Sequence, residues 1–150
     1  MSEKNHMQSE NTFQRPGYTT VSPYLMVDDV AQQLEFIKNV FQVKPTEDLG
    51  QNPDGHTEIK LGDTNIMIGQ GRPQWPSRQS MNYIYVESVD EIYKRARQFG
   101  ANILLEPTER YYGDRECGFE DNQGNQWWCA TYKQTLSRDE MNKRFETNKR

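Results

Sequence analysis

The chain has few of the features that would place it outside ordinary globular proteins. It contains two cysteines, Cys117 and Cys129, whose spacing fits neither a CxxC motif nor a zinc site. We therefore expect reduced, buried thiols and a cytoplasmic location. No apolar run approaches the roughly 18 residues of a membrane span. The first seventeen residues also lack the apolar stretch of a secretory signal, so we expect no membrane partner.

Positive charge is scarce where a nucleic-acid-binding domain would need it. The net charge is −4, the last fifteen residues carry +2 and the first sixteen carry none, which leaves −6 for the segment between them. An acidic domain repels a phosphate backbone. We therefore expect no nucleic-acid partner, and such a domain would sooner attract a cation.

Three segments differ in composition. Residues 1–16 are polar and without periodicity, and we expect them to form a disordered arm. Residues 17–135 hold the periodic apolar stretches and are expected to form one domain. Residues 136–150 are charged, and Ser137 with Glu140 three positions later forms a capping box. We expect a short C-terminal helix there that docks lightly.

The domain contains the same pattern twice. A strand precedes a helix whose apolar residues repeat at steps of four and three, and three short strands follow. A second strand precedes a second helix, which is expected to stop at Gly100, and three strands follow again. The strand-to-helix joints, VDDV at 27–30 and VESV at 86–89, are 59 residues apart. The pattern predicts a duplicated βαβββ module, at about 18–70 and 80–132.

Two βαβββ modules joined in this way resemble the vicinal oxygen chelate superfamily, which includes glyoxalase I, extradiol dioxygenases and bleomycin-resistance proteins. The finer resemblance is to its PhnB-like branch. The stretches that carry it are PYLMVDDVAQQLEFIKNVF, GHTEIKLGDTNIMIG, YVESVDEIYKRARQFGA and YYGDRECGFEDNQGNQWW. The resemblance implies an α+β fold in which two βαβββ modules form a cupped mixed sheet, with helices outside and a pocket inside. It also implies a homodimer, in some members with swapped modules.

Strand parity indicates which side chains face the cup, because neighbours on a strand point to opposite faces. Aliphatic residues alternate here with aromatic and polar ones, as a core face and a pocket face should. Trp127 is expected under the helices and Trp128 on the opposite face. The expected cup-facing, ligand-binding residues are Tyr24, Met26, Tyr83, Tyr85 and Trp128.

Metal-binding members of the superfamily supply a histidine at the start of the first strand and a carboxylate or glutamine late in the first module. They add a histidine or glutamine at the start of the second module and a glutamate on the last strand. The resemblance carries these roles onto Ser22, Ile66 or Ile68, Met81 and Trp128. None of these side chains is the carboxylate or imidazole that a divalent cation needs. We therefore expect no metal and no other cofactor.

Two further stretches contain groups that could act on a ligand. His56 and Glu58 in GHTEIK share a strand face. In one interpretation they form an acid–base or metal pair, with Glu58 as the candidate catalytic and ligand-binding residue. In the other, which we favour, they are a half-exposed strand pair near a turn. In YYGDREC, Asp114 and Arg115 could form a gate at the pocket mouth, with Arg115 binding the ligand. The alternative is an ordinary turn in which Asp114 and Arg115 pair with each other. Trp75 in the linker is a lid or a dimer contact.

Three functions are compatible with these observations. The first is a metal-independent protein that binds an aromatic or cationic small molecule in an aromatic-lined cup, as in the bleomycin-resistance type. The second is a lyase, isomerase or dioxygenase-like enzyme that uses atypical metal ligands, or metal-free acid–base chemistry by Glu58. The third is a dimeric interaction module with a vestigial pocket. We favour the first and expect a homodimer, and the sequence leaves open whether any catalysis occurs.

Overall fold

The computed structural model, which describes residues 13–44, 47–53 and 55–148, contains the βαβββ pattern twice. The first module consists of β1 (Tyr24–Val27), α1 (Val30–Phe41), β2 (Asp48–Gln51), β3 (Thr57–Leu61) and β4 (Thr64–Gln70). The second consists of β5 (Met81–Tyr85), α2 (Val89–Gln98), β6 (Asn102–Glu109), β7 (Asp114–Glu120) and β8 (Gln126–Tyr132), and α3 (Arg138–Asn148) follows. The predicted duplication is confirmed. Most of the arm predicted at 1–16 lies outside the described residues.

Each module builds its own four-stranded mixed sheet. The strand orders are β1-β4-β3-β2 and β5-β8-β7-β6. In both sheets the first strand pairs in parallel with the last, and the other pairs are antiparallel. The α+β fold of two βαβββ modules is therefore confirmed, and each module contributes a separate four-stranded mixed sheet. In the described part of the chain, no helix has the length and hydropathy that crossing a membrane requires.

Local sequence signals determine where the helices begin and end. Asp29 caps α1 by accepting a hydrogen bond from the Gln32 backbone N–H at 3.0 Å, and Ser88 caps α2 by accepting from the Glu91 backbone N–H at 3.3 Å. After α2 the chain turns at Gly100, whose φ of +77° is one that residues with a Cβ rarely adopt. The predicted stop is confirmed. At the C-terminus the Glu140 N–H donates to Ser137 as the capping box predicts.

The helix-facing sides of both sheets share one hydrophobic core. The ring centroids of Phe36 in α1 and Phe119 in β7 are 6.0 Å apart, and those of Phe41 and Trp127 are 5.3 Å apart. Helix α1 therefore packs against its own sheet and against the second module. This double packing buries a wider face than the stripe predicted from the sequence. The buried α1 residues are Val30, Gln33, Phe36, Ile37 and Val40.

The two cysteines lie in this core. Cys117 and Cys129 are neighbours across the β7–β8 pair, fully buried and not joined by a disulfide. Burial raises the pKa of the Cys129 thiol well above its ordinary value, so the thiol stays protonated and unreactive. The prediction of reduced, buried thiols agrees with this arrangement.

A buried polar network joins α1 to the turn before β8. The Gln33 side-chain amide donates to Asp121 Oδ2 at 2.8 Å and accepts from the Asn125 amide at 2.7 Å. Trp127 Nε1 donates to the same Asp121 oxygen at 2.9 Å. The other Asp121 oxygen accepts from the backbone N–H groups of Gln123 and Asn125. Because a buried polar group is costly unless its hydrogen bonds are made, this network sets how the first module sits on the second.

With the helix-facing sides turned inward, the opposite faces of the two sheets lie at the surface. Tyr24 in the first sheet and Met81, Tyr83 and Tyr85 in the second are 46–71% exposed. Trp127, whose ring points the other way, is 1% exposed. The strand parity predicted from the sequence therefore separates core from surface in both modules. In a single chain the concave faces remain open.

Replacing Gln33 with alanine should destabilise the chain by about 2–4 kcal/mol, because Asp121 and Asn125 each lose a buried partner and a cavity opens. Denaturant unfolding followed by circular dichroism measures the change. Gln98→Ala, the same substitution at an exposed position of α2, is the control and should change stability by less than about 0.5 kcal/mol. Equal effects of the two substitutions would mean that the network does not hold the modules together.

Candidate functional site

A pocket of about 470 Å³ lies between the concave face of the first sheet and the linker that follows β4. The Arg78 backbone N–H donates to the Met26 carbonyl at 3.0 Å, so the linker runs along the edge of β1 that no strand covers in the described chain. Strand β1 contributes Tyr24 and Met26 to the pocket, and His56 enters it from the position just before β3. The linker contributes Arg72, Trp75 and Arg78. The linker is therefore one wall of the pocket as well as a connection between modules.

The floor of the pocket depends on a glycine. A Cβ at Gly69 would lie 2.8 Å from the Tyr24 hydroxyl oxygen and 3.1 Å from the Met26 sulfur. Both distances are shorter than ordinary contacts. The absence of a side chain at position 69 thus lets Tyr24 and Met26 lie against β4, and it leaves the pocket open above them.

A chain of hydrogen bonds leads from the pocket into the sheet. The Tyr24 hydroxyl lies 3.0 Å from His56 Nδ1, and His56 Nε2 lies 3.0 Å from Glu58 Oε2. The Tyr18 hydroxyl donates to the other Glu58 oxygen. The His56 and Glu58 side chains are only 14% and 13% exposed. His56 and Glu58 therefore pair with each other beside the turn, as the favoured interpretation has it, with less exposure than it expected. The acid–base role of Glu58 stays a prediction.

The charge of Glu58 follows from its partners. Burial acts to raise the pKa of this carboxyl group, but the hydrogen bonds from Tyr18 and His56 outweigh it and hold the pKa below its ordinary value. Glu58 is therefore ionised near neutral pH. An ionised carboxylate only accepts hydrogen bonds, so His56 donates to it through Nε2–H.

The pocket is positively charged although the chain as a whole is acidic. Arg72 and Arg78 bring two guanidinium groups to it, and none of the described residues that line it is acidic. Trp75, 69% exposed, adds a large aromatic surface at its mouth. The arrangement can hold a flat molecule that carries negative charge.

The concave face of the second sheet has Trp128 at its centre. A Cβ at Gly118 on the neighbouring strand would lie 2.5 Å from the indole ring, so the ring lies directly over this glycine. Its Nε1 donates to Gln126 Oε1 at 3.0 Å. Trp128 is half-buried on the face opposite Trp127 and contributes an aromatic surface without an ionisable group.

Two carboxylates lie beneath the aromatic residues of this face, and both already have partners. The Tyr83 hydroxyl donates to Asp114 at 2.9 Å, and the Tyr112 hydroxyl donates to Glu116. Arg110 lies 3.5 Å from Glu116. Burial raises the pKa of Tyr83, and hydrogen bonding to Glu116 and Asp114 raises it further. Tyr83 therefore stays protonated, and the two carboxylates serve to hold this face together.

Arg115 lies on the other face of β7, away from the concave side. Its guanidinium pairs with Asp90 of α2 at 2.9 Å and with Glu109 of β6 at 3.3 Å. The hydrogen bond from Arg115 holds the pKa of Asp90 below its ordinary value. Neither alternative from the sequence fits, because Arg115 is not at the pocket and does not pair with Asp114. Adjacent residues of a strand point apart, which separates them.

The remaining predicted ligand-binding residues are not gathered in one cavity of the single chain. Tyr24 and Met26 line the first-module pocket, and Glu58 lies behind it. Tyr83 and Tyr85 line a separate cleft of about 650 Å³ between β5 and the β3–β4 turn. The sequence also missed Arg72, Arg78 and Tyr18. Two arginines on either side of a tryptophan, in GRPQWPSR, were the available signal.

The superfamily's metal positions do not supply metal ligands here. The resemblance assigned one of these positions to Ile66 or Ile68, but both side chains are buried in the core. The residue between them, Met67, pairs with Tyr24 and lies on the concave face instead. The set is then Ser22, Met67, Met81 and Trp128. Among the described residues, no group of three or more His, Cys, Asp or Glu side chains is placed to hold a metal ion. A hydroxyl, two thioethers and an indole do not fit a divalent cation.

Known proteins share this fold. An uncharacterized protein of Mycobacterium tuberculosis is 25% identical over 152 aligned positions, which cover 91% of this chain and 88% of that protein. TioX from Micromonospora superposes with a TM-score of 0.64 at 20% identity, over 76% of this chain and 98% of its own. FosX, a fosfomycin resistance protein from Listeria monocytogenes, superposes with a TM-score of 0.62 at 19% identity, over 84% and 97%. At these identities the structural likeness shows the fold alone.

The sequence model of one superfamily spans both modules. The Glyoxalase/Bleomycin resistance protein/Dioxygenase superfamily matches residues 15–129, which include the first seven strands, both crossover helices and the first part of β8. The duplicated βαβββ topology and the structural neighbours agree with that match. The chain belongs to the glyoxalase, bleomycin-resistance and dioxygenase superfamily.

Proposed function

We propose that this protein binds a small aromatic compound carrying an anionic group, without the help of a metal, in the pocket between the first sheet and the linker. The observation that carries the proposal is the pair of guanidinium groups, Arg72 and Arg78, beside Trp75 and Tyr24 in a pocket whose described lining has no acidic residue. The volume of about 470 Å³ lies in the range of small-molecule sites. Guanidinium groups hold carboxylates, sulfonates and phosphonates through paired hydrogen bonds.

Of the two ligand classes expected from the sequence, the charges favour the aromatic one and disfavour a cation. A cation in this pocket would face two arginines. On the second face, Asp114 and Glu116 could attract one, but Tyr83, Tyr112 and Arg110 already engage them. Opening those contacts would cost hydrogen bonds to charged groups, about 1.5–3 kcal/mol each.

We also propose that two copies assemble so that the second face of one covers the first-module pocket of the other. Met81, Tyr83 and Tyr85 form an exposed, largely apolar surface of the kind that marks interaction sites. Strand β5 also has a free edge among the described residues. Such a homodimer would bring the separated ligand-binding residues into one cup.

The finer assignments remain predictions. Membership of the PhnB-like branch is one. A cytoplasmic location is another, and the buried, unpaired Cys117 and Cys129 support it because such thiols suit a reducing compartment. An interaction module with a vestigial pocket is the competing function, and it differs by binding no small molecule.

The anionic-ligand proposal can be tested with two dyes that share one ring system. Anilinonaphthalene sulfonate should bind at least several-fold more tightly than the uncharged phenylnaphthylamine. Arg78→Gln should weaken binding of the sulfonate dye by about tenfold to a hundredfold, because a charge-assisted hydrogen bond is worth about 1.5–3 kcal/mol. It should affect binding of the neutral dye little. Trp75→Ala should weaken binding of both dyes by about twofold to tenfold.

Fluorescence titration gives the dissociation constants. Arg138→Gln, which removes an exposed arginine from α3, is the matched control and should leave the binding of both dyes unchanged. If the two dyes bind equally and Arg78→Gln changes neither, the pocket does not select an anion.

The untagged protein should contain no stoichiometric divalent metal, because a hydroxyl, two thioethers and an indole occupy the concave positions. Elemental analysis after incubation with Zn²⁺ or Mn²⁺ and removal of the excess measures this. About one metal ion per chain, removable by a chelator, would contradict the proposed metal independence.

The protein should sediment as a dimer, and Tyr85→Glu should convert it to monomer by placing a charge in the centre of the proposed interface. Phe99→Glu, at an exposed position after α2, adds the same charge elsewhere and should leave the dimer intact. Analytical ultracentrifugation of the three proteins distinguishes the outcomes. A monomeric wild-type chain at micromolar concentration would rule out the composite cup.

A further inference from the structure

The most ordered group of ionisable side chains at the first-module pocket is the series Tyr24, His56, Glu58. Exposure falls along it, from 50% for Tyr24 to 14% and 13% for the side chains of His56 and Glu58. Tyr24 and His56 line the pocket, whereas Glu58 is not among its lining residues and lies behind the imidazole. The order of groups is hydroxyl, imidazole, carboxylate, each 3.0 Å from the next.

The hydrogen-bond directions follow from the chemistry of the three groups. Glu58 is an acceptor only, so His56 Nε2 carries the proton that lies between them. In the neutral imidazole the other nitrogen, Nδ1, is then an acceptor. The Tyr24 hydroxyl therefore donates to Nδ1. The imidazole is thus placed to take a proton from the hydroxyl, and Glu58 is placed to stabilise the imidazolium that results.

We propose that Tyr24 is a nucleophile activated by His56 and positioned by Glu58, and that it accepts an acyl group from an activated aryl ester bound in the pocket. This inference rests on the proposed function only in placing a small aromatic molecule beside Tyr24. The same three roles define nucleophilic triads built on serine, and they are recognised by geometry rather than by the nucleophile's position in the chain.

The reaction balances with water as the only co-reactant. The Tyr24 oxygen attacks the ester carbonyl carbon while its proton passes to His56 Nδ1. The bond from the carbonyl carbon to the aryl oxygen breaks, and the aryl oxide takes the proton from the imidazolium. Water, with His56 as its base, then attacks the acyl-tyrosine, which releases a carboxylic acid and returns the proton to Tyr24. Arg72 and Arg78 line the same pocket and favour the negative charge that develops on the carbonyl oxygen.

The test compares two tyrosines in the same molecule. Tyr85 is 68% exposed against 50% for Tyr24, so accessibility alone predicts faster modification of Tyr85. The protein is treated with para-nitrophenyl acetate near neutral pH and quenched in acid at times within the first turnover, before the acyl-tyrosine is hydrolysed. It is then digested, and the acetyl group on each tyrosine is quantified by mass spectrometry. We expect Tyr24 to be acetylated at least about tenfold faster than Tyr85, a modest share of the 10²–10⁴-fold that a positioned general base supplies.

Two variants assign the roles of the partners. His56→Gln should lower the Tyr24 rate to that of Tyr85 or below, while the Tyr85 rate and the circular dichroism spectrum stay unchanged. Glu58→Gln keeps an acceptor for Nε2–H but removes the charge. In proton–nitrogen correlation spectra His56 should keep its tautomer, while Tyr24 acetylation falls toward the rate of His56→Gln. A merely structural Glu58 would leave the Tyr24 rate unchanged in this variant.

Three results would overturn the inference. The first is a wild-type Tyr24 rate no higher than that of Tyr85. The second is a fast Tyr24 rate that His56→Gln does not reduce. The third is nitrophenolate release that persists undiminished in Tyr24→Phe, which would place the nucleophile elsewhere. Dye binding is measured separately, so a pocket that fails to select the anionic dye refutes the proposed function without touching this result.

Discussion

The rest of the structure depends on the buried amide of Gln33. It joins Asp121 and Asn125 of the second module to the first helix. These side chains are buried, so each would cost free energy if its hydrogen bonds were not made. Because this contact places α1 against both sheets, the helices and the aliphatic sides of the strands face inward together. The concave faces of the two sheets therefore point toward solvent. The open aromatic surfaces, the role of the linker and the separation of the predicted ligand-binding residues all follow from that packing.

The residues that line the pocket come from different strands and from the linker. One strand supplies Tyr24, another supplies Gly69 and so leaves room for it, and the linker adds arginines and an indole above them. A positive pocket in an acidic chain steers an anion to one place on the molecule. In the proposed reaction, the hydrogen-bonded series at the pocket supplies the reactive oxygen, that of Tyr24. Binding and chemistry would then use opposite walls of the same cavity, with the charge on the linker and the hydroxyl on the sheet.

Periodicity made most of the fold predictable. The two helices and the alternation that separates Trp127 from Trp128 follow from periods of 3.6 and 2, and Gly100 marked the end of the second helix. The register of β4 did not, because NIMIG is apolar on both faces and its alternation carries no signal; Met67, not Ile66 or Ile68, faces outward. The partner of Arg115 lies 25 positions away in α2, beyond any local pattern. The linker has no periodicity, so its position along β1 could not be predicted, and only the two arginines that flank Trp75 indicated a binding role.

Because the core lies on one side of each sheet, evolution can change the pocket residues without changing the core. The side chains that meet the pocket, Arg72, Trp75 and Arg78 above all, are exposed and make no contribution to the core cluster. Substitutions there cost little folding free energy, since surface changes usually stay within about 0.5 kcal/mol. Ligand preference can therefore drift while the scaffold persists, which is how one architecture comes to serve many unrelated molecules.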